Sequence, residues 1–389
     1  MKFILHIGQS KTGTSSIQHF LTVNSKKLLK QGILYPSVKI NGLTVEMVAH
    51  NAVADSVVGV NRYPFVTAEN YFKQFIQEAT LNQCHLIILS AEHFFQGEPR
   101  VWDFANEDDF YEAYGNKLIK LKSYLIGHEV SVIVYLRPQL EWFASAVAQT
   151  VRTAGLISKN NLYQNDAQFY KLMKPILNYP KMLDLWDSLI SPESLEVIPY
   201  NKDTFLGMSV VADFVERIGI NNYKYLYSEL DLNINQSLSA EYIEVKKVLN
   251  KVKKSKNKER VIISCLEFLS KEHGSGIRYH VDKKIQHEIL KLAKQDNSIL
   301  NARFFNGGLS FLESNHDIDK QLLTSIIKKR AFKLFKMEIC KPKYKVLFVK
   351  YVFKDLIRRK FLPLHTLLHM MKNFFQRKKS FHIWFLNKE

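Results

Sequence analysis

The stretch His6-Ile-Gly-Gln-Ser-Lys-Thr-Gly-Thr-Ser15 decides the reading of this chain. It follows a short β-prone run, Lys2 to Ile7. It leads into residues Ser15 to about Lys30, where Ile17, Phe20, Leu21, Leu28 and Leu29 recur at helical spacing. A strand, a glycine-bearing loop and a helix start aim backbone N–H groups and the positive end of the helix dipole at one point, which suits a phosphate. Gly8 and Gly13 have the offset of a GxxxxGK[ST] loop. Thr14, however, stands where that motif has its lysine, and Lys11 lies inside the loop instead. Kinases and NTPases pair their loop with a Mg²⁺-binding hydroxyl and acids, and no such partner motif is legible here.

Outward from the loop, Gly32 stops the first helix and Ile33 to Pro36 reads as a brief extended segment. Periodicity predicts helices over Val45 to Val58, Tyr71 to Leu81, Asp108 to Ile126, Glu141 to Thr153 and Lys181 to Leu189. Short apolar runs predict strands at His85 to Ser90, Val130 to Leu136 and Leu195 to Pro199. Strands alternating with helices predict an α/β fold with a parallel sheet covered on both faces. Ligands bind such sheets beyond the carboxyl ends of the strands, here the loops after Ile7, Ser90 and Leu136. Past Glu241 the chain reads as mostly helical, with a solvated charged section from Lys246 to Arg260. The expected organisation is a main domain over 1–320 and a basic, mostly helical extension over 321–389.

A chain of 389 residues with 46% hydrophobic and 12% aromatic residues collapses to a core, which excludes a disordered protein. Its 55 Lys and Arg against 37 Asp and Glu give a net +18, which favours a polyanionic ligand, an anionic membrane surface, or both. Zinc-finger spacing, RNP-like aromatics and helix-turn-helix patterning are all missing, so nucleic acid is not an expected partner. Residues 341–389 alone carry 13 Lys or Arg against Asp355 and Glu389, a balance of +11, with Phe348, Tyr351, Phe353, Phe361, Phe374, Phe375, Trp384 and Phe385 among them. Such a segment either lies on an anionic bilayer or packs its apolar face on the main domain.

Cys84, Cys265 and Cys340 are too widely separated for a disulfide framework or a metal cluster. His365 and His369 have i, i+4 spacing without a third ligand, so no metal is expected. No apolar run reaches ~18 residues, so neither a signal peptide nor an anchor is expected. The expected location is cytoplasmic, with peripheral contact at the inner face of the membrane as the variant that the basic end suggests.

The segment Gly8-Gln-Ser-Lys-Thr-Gly-Thr-Ser15 resembles the 5′-phosphosulfate loop of the sulfotransferase superfamily. Together with Tyr35-Pro36 it looks most like the bacterial carbohydrate and polysaccharide branch. The resemblance carries distinct motifs from residue 1 to roughly 240 and fades toward 320. It implies a P-loop-type three-layer fold and 3′-phosphoadenosine 5′-phosphosulfate as co-substrate, with no metal. By the same resemblance Gly8, Lys11, Thr12, Gly13, Thr14, Ser15 and Ser16 would hold the 5′-phosphate, and Lys11 would neutralise the bridging oxygen as the sulfuryl group departs. A second anion site for the 3′-phosphate would be Arg137, closing the strand Val132 to Leu136, with Ser145 eight positions later. The planar fork of an arginine suits a phosphate, although a surface ion pair is a common fate for the same residue. Gln149 and Arg152 continue that helix, facing the cleft or simply solvated. In Asn233 to Ser239 either Ser237 or Ser239 contacts the nucleoside or caps a helix.

Attack by a sugar hydroxyl needs a base, and the candidates are His50, Glu92 and Glu46. His50 is favoured, since histidine needs little tuning to act near neutral pH. Glu92 is expected to line the cleft and orient the acceptor or His50, or else to cap a helix. His6, inside a strand, reads as a core histidine. The implied acceptor is a carbohydrate, capsular, exopolysaccharide or lipid-linked, and acidic in many cases. Two rival readings are another P-loop kinase, and a catalytically inactive polyanion- or membrane-binding protein of the same fold.

Overall fold

The computed structural model describes residues 1–40, 43–63, 66–97, 104–154, 156, 165–220, 238–252, 254–305 and 325–358. In chain order the elements are β1 (Lys2–His6), α1 (Thr14–Val23), α2 (Ser25–Leu29), β2 (Ile33–Leu34), β3 (Val38–Ile40), β4 (Leu43–Val45), α3 (Asn51–Val57) and α4 (Ala68–Leu81). Next come β5 (Leu86–Ser90), α5 (Glu92–Gln96), α6 (Glu107–Ser123), β6 (Glu129–Leu136), α7 (Gln139–Thr153), α8 (Asp166–Leu177), α9 (Tyr179–Leu185) and β7 (Ser194–Pro199). The chain continues through α10 (Val210–Arg217), α11 (Ala240–Asn250), α12 (Lys256–His273), α13 (Lys283–Phe304), α14 (Ser325–Ile339) and α15 (Pro342–Arg358).

The fold is α/β. Five strands form a parallel sheet in the order β2-β5-β1-β6-β7, flanked by helices. β5, β6 and β7 were expected as short apolar runs, β1 as a β-prone run and β2 as a brief extended segment; β5 and β6 are buried nearly throughout, as strands covered on both faces must be. The chain runs from β1 to β2 and β5 on one side, then returns to β6 and β7 on the other. The carboxyl end of β1 therefore lies at the point where strand order reverses, the place where open α/β sheets hold ligands.

Two local readings are corrected. The helix expected over Val45 to Val58 is shorter, only α3 from Asn51 to Val57, and Val45 instead closes the hairpin β3–β4 that begins at Val38. The helix expected from Ser15 to about Lys30 breaks at Asn24, whose side-chain amide donates to Phe20 O at 3.0 Å in competition with the helical ladder.

The chain divides into two compact units. The first comprises Met1–Phe143, Tyr170–Ile234 and Lys283–His316 and contains the whole five-stranded sheet. Its core joins Ile4, Ile133 and Tyr135 of the sheet to Ile17, Phe20 and Leu21 of α1 and Val211, Phe214 and Val215 of α10.

The second unit comprises Ala144–Phe169, Asn235–Asp282 and Asp317–Glu389, so it gathers stretches from well before residue 320. It is helical in its described residues. Here α14 packs on α11 and α12, and α15 packs on α12. A buried ion pair, Lys246 Nζ to Glu259 Oε2 at 2.8 Å, ties α11 to α12. Arg152 is not solvated but donates to Glu267 at 2.9 Å within this unit. Ser239 is the residue before α11, yet its hydroxyl makes no cap bond; its amide donates to Ser270 Oγ instead. Ser237, with the rest of 233–237, and His365 and His369 lie outside the described residues. No described helix is long and apolar enough to cross a membrane.

Candidate functional site

The site is built on the carboxyl end of β1, where His6 pairs with Ser90 of β5 on one side and Ile133 of β6 on the other. The loop from Ile7 to Gly13 turns through three left-handed residues, Gly8 (φ 26°), Lys11 (φ 70°) and Gly13 (φ 77°). The two glycines are sterically required. A Cβ on Gly8 would stand 2.6 Å from Thr14 Cγ2, and one on Gly13 would stand 2.7 Å from Val210 Cγ1. Lys11 has a side chain in a conformation that costs on the order of 1–3 kcal/mol, a strain that persists only where the surroundings impose it. Gly13 is the N-cap of α1 and offers no side chain, so no side-chain oxygen caps the first turn, and the positive helix end lies behind the loop. Ser15 is exposed, while Lys11 and Ser16 are half-buried.

The hydroxyls of Thr12 and Thr14 depart from expectation. Thr12 Oγ1 donates to Gln9 O at 2.5 Å and Thr14 Oγ1 donates to Glu92 Oε1 at 2.6 Å. A hydroxyl has one proton to give, and both are spent inside the fold. The other hydroxyls of the loop are those of Ser10, Ser15 and Ser16.

Gln9, which the sequence reading passed over, joins the loop to the end of β6. Fully buried, it accepts from the amide of Arg137 at 2.9 Å and donates to Tyr179 Oη at 2.7 Å, while Tyr179 Oη donates to Arg137 O at 2.8 Å. Trp142 Nε1 donates to Ser10 O at 3.0 Å from the start of α7. A buried polar side chain bonded at both its oxygen and its nitrogen fixes geometry, so the loop and Arg137 are held in register through side chains with no motif of their own.

Arg137 itself is engaged. Its Nε and Nη2 both lie 3.0 Å from Glu141 Oε2, one turn along α7. An anion at Arg137 has to replace that carboxylate. Ser145 lies further along α7, half-buried, in the portion assigned to the second unit.

On the other side, at the end of β5, the structure corrects the reading of His50. Strand β2 ends at Leu34, and His50 takes over as the partner of Ser90: His50 N donates to Ser90 O at 2.8 Å, and Ser90 N donates to His50 Nδ1 at 3.1 Å. Because Nδ1 accepts, Nε2 carries the proton, and it donates to Pro36 O at 3.0 Å. The ring is fully buried, and burial pulls its pKa down to about 4. The one ring lone pair of His50 is taken by Ser90 N, and the buried ring has no access with which to take a proton from a substrate. His6 is a core histidine as expected, fully buried and pulled down by burial to about 4, with Nδ1 2.8 Å from Ser90 Oγ.

Glu92 sits at the first turn of α5 with both oxygens engaged, Oε1 by Thr14 and Oε2 by Asn51 Nδ2 at 2.9 Å. Burial alone would raise its pKa, but hydrogen bonds from Thr14, its own backbone, Asn51 and Gln18 outweigh this and hold the carboxyl below its ordinary value. It therefore stays ionised and acts as a strut between β5 and the start of α1. Glu46, the third candidate, lies just past β4 and enters none of these bonds.

The neighbouring residue has the features that His50 lacks. His93 Nδ1 lies 2.6 Å from Oδ1 of the fully buried Asp55, whose Oδ2 accepts from Arg62 Nε at 2.7 Å. With Nδ1 donating to a carboxylate, Nε2 is the lone-pair nitrogen, the arrangement of an oriented general base. The backbone N of His93 donates to Asn51 Oδ1 at 3.1 Å, so Asn51 holds Glu92 and His93 together. Beneath them Lys117 donates to His93 O and to Phe94 O; burial pulls its pKa down to about 7, with Asp55 working in the opposite direction.

No family model matches the chain, and no curated protein or solved structure is significantly similar to it.

Proposed function

We propose that this chain is a P-loop-type sulfotransferase that moves a sulfuryl group from 3′-phosphoadenosine 5′-phosphosulfate to a carbohydrate hydroxyl. The observation that carries the reading is Lys11, held left-handed inside a loop whose flanking glycines are sterically required and whose register with Arg137 is set by Gln9. A γ-phosphate loop has its lysine after the second glycine. A lysine inside the turn, with an arginine at the neighbouring strand end, instead suits a ligand with an anion at each end.

In the reaction the acceptor oxygen bonds to sulfur while the bond from sulfur to the 5′-phosphate oxygen breaks. Lys11 and the first-turn amides of α1 stabilise the charge released on that oxygen, donors that need no reorganisation. The hydroxyl proton passes to His93 Nε2, and Asp55 steadies the resulting imidazolium. Glu92 stays ionised and holds Thr14, fixing the loop against β5. Arg137 exchanges Glu141 for the 3′-phosphate. A net charge of +18 draws acidic glycans toward the protein by long-range attraction.

The test is thermal unfolding with 3′-phosphoadenosine 5′-phosphate against ATP plus Mg²⁺. A ligand of the native state at a hundred times its Kd adds about 2.7 kcal/mol of stability. A shift with the bisphosphate and none with ATP supports the reading; the reverse result makes the chain a kinase-type protein and overturns it. Transfer of labelled sulfate to glycan acceptors then separates an enzyme from a binding protein of the same fold.

A further inference from the structure

We infer that the outward face of α14 docks this protein on an anionic lipid bilayer. The inference is independent of the phosphate site.

The helix has two opposed stripes. Ala331, Phe335, Glu338 and Ile339 are buried against the second unit. At about 100° per residue, Ile326, Lys329, Arg330, Lys333, Lys336 and Met337 fall within an arc of roughly 120° on the opposite side, and every one of them is exposed. From Ser325 to Tyr351 the sequence has nine Lys or Arg and one acid, Glu338.

That acid does not neutralise the stripe. It is buried and paired with Lys341 and Lys343. Glu244 of α11 takes Lys328, which lies outside that arc, on the side of Phe335 and Ile339. Among the described residues no carboxylate pairs with Lys329, Arg330, Lys333 or Lys336, so four cations stand on one face without an acidic partner.

The apolar side chains choose between a bilayer and a soluble polyanion. Ile326 is 75% exposed and Met337 61%, and both lie inside the cationic stripe, while Val346 on α15 is 57% exposed. A sulfated or phosphorylated glycan has no use for such side chains. A bilayer does, because they enter the boundary between headgroups and acyl chains while the lysines meet anionic headgroups. The helix is already anchored by its inner face, so docking needs no refolding.

The experiment is co-sedimentation of the full chain with vesicles of phosphatidylcholine alone, or of phosphatidylcholine mixed with phosphatidylglycerol, at low and at rising salt. Binding should require phosphatidylglycerol and weaken with salt. Neutralising Lys329, Lys333 and Lys336 together to Gln should lower partition on the order of a hundredfold, about fivefold per lysine. The pair Ile326→Ser and Met337→Ser should lower it by roughly tenfold while leaving retention on immobilised heparin unchanged. Equal binding to both vesicles overturns the inference. So does full vesicle binding by the triple Gln variant. Loss of heparin retention without loss of vesicle binding assigns the stripe to a soluble polyanion and also overturns it.

Discussion

His50 and His93 bracket the end of the same strand, and they differ in how much of each ring the fold has already used. His50 spends both nitrogens on backbone groups, standing in for a missing strand beside Ser90. His93 spends one nitrogen on Asp55 and holds the other in the tautomer that accepts a proton. Both are histidines on the β5 side of a glycine-rich loop. The capacity to move a proton is therefore set by the count of fixed partners, and the residue type alone does not disclose it.

The largest expected effect tests that contrast directly. His93→Gln should lower turnover in sulfate transfer by roughly 10²–10⁴, the usual contribution of a positioned base. His50→Gln, compared at equal folded fraction, should stay within about threefold of the parent, because it touches no reacting atom. If the two variants lost activity equally, the contrast between the two rings would be broken and the base would lie elsewhere.

The sheet was legible from sequence because three of its strands, β5, β6 and β7, are each a short apolar run bounded by a turn, and burial on both faces leaves few other readings for Leu86 to Ser90 or Val130 to Leu136. The turn of the loop was legible because two glycines at a fixed offset between a strand and a helix have few other uses. The hairpin of β3 and β4 was not, since three-residue strands are too short to show alternation against helical period. Nor was the locking of His50 against Ser90. It depends on β2 stopping two residues into its pairing with β5, which leaves Ser90 in need of a partner. Gln9 and Tyr179 were missed for a related reason: a glutamine in a loop says nothing until the amide it faces, 128 positions later, is known.

Acid stability sharpens the comparison next. His50 titrates at about 4 in the folded chain against an ordinary 6.5. The unfolded chain thus holds more protons between those values, and stability is complete above pH 6.5 and falls toward pH 4. At 1.36 kcal/mol per unit the His50 share is roughly 3 kcal/mol, and His6 adds a loss of the same sign. His50→Gln should cost stability at pH 7, where it loses its bonds, yet lose less than the parent on going from pH 7 to 4.5. Parallel denaturation curves for the two proteins across that range would show that His50 is not the neutral, locked ring described here.

Asp55→Asn acts on the other ring. The carboxylate that orients His93 and offsets an imidazolium is replaced by a neutral acceptor. Turnover should fall by roughly ten- to a hundredfold, in line with other partners that orient a histidine. The thermal shift with 3′-phosphoadenosine 5′-phosphate should be unchanged, since Asp55 is not part of the donor site. A lost thermal shift with intact turnover would place Asp55 in donor binding and remove it from the proton path.

The smallest expected effect is that of Lys117, which supports His93 from below without touching a reacting atom. Burial lowers its pKa from 10.5 to about 7. Between those values the unfolded chain holds the extra proton, so stability gained from this group rises as pH goes from 7 toward 10. Lys117→Met removes the buried charge but leaves His93 O and Phe94 O without their donor, and the two changes nearly cancel at pH 7. Turnover should stay within about threefold of the parent. The variant should gain roughly 1–2 kcal/mol less stability than the parent between pH 7 and 9. A fall in turnover matching that of His93→Gln would mean that the lysine takes part in the proton path and is more than an inert support beneath one oriented histidine.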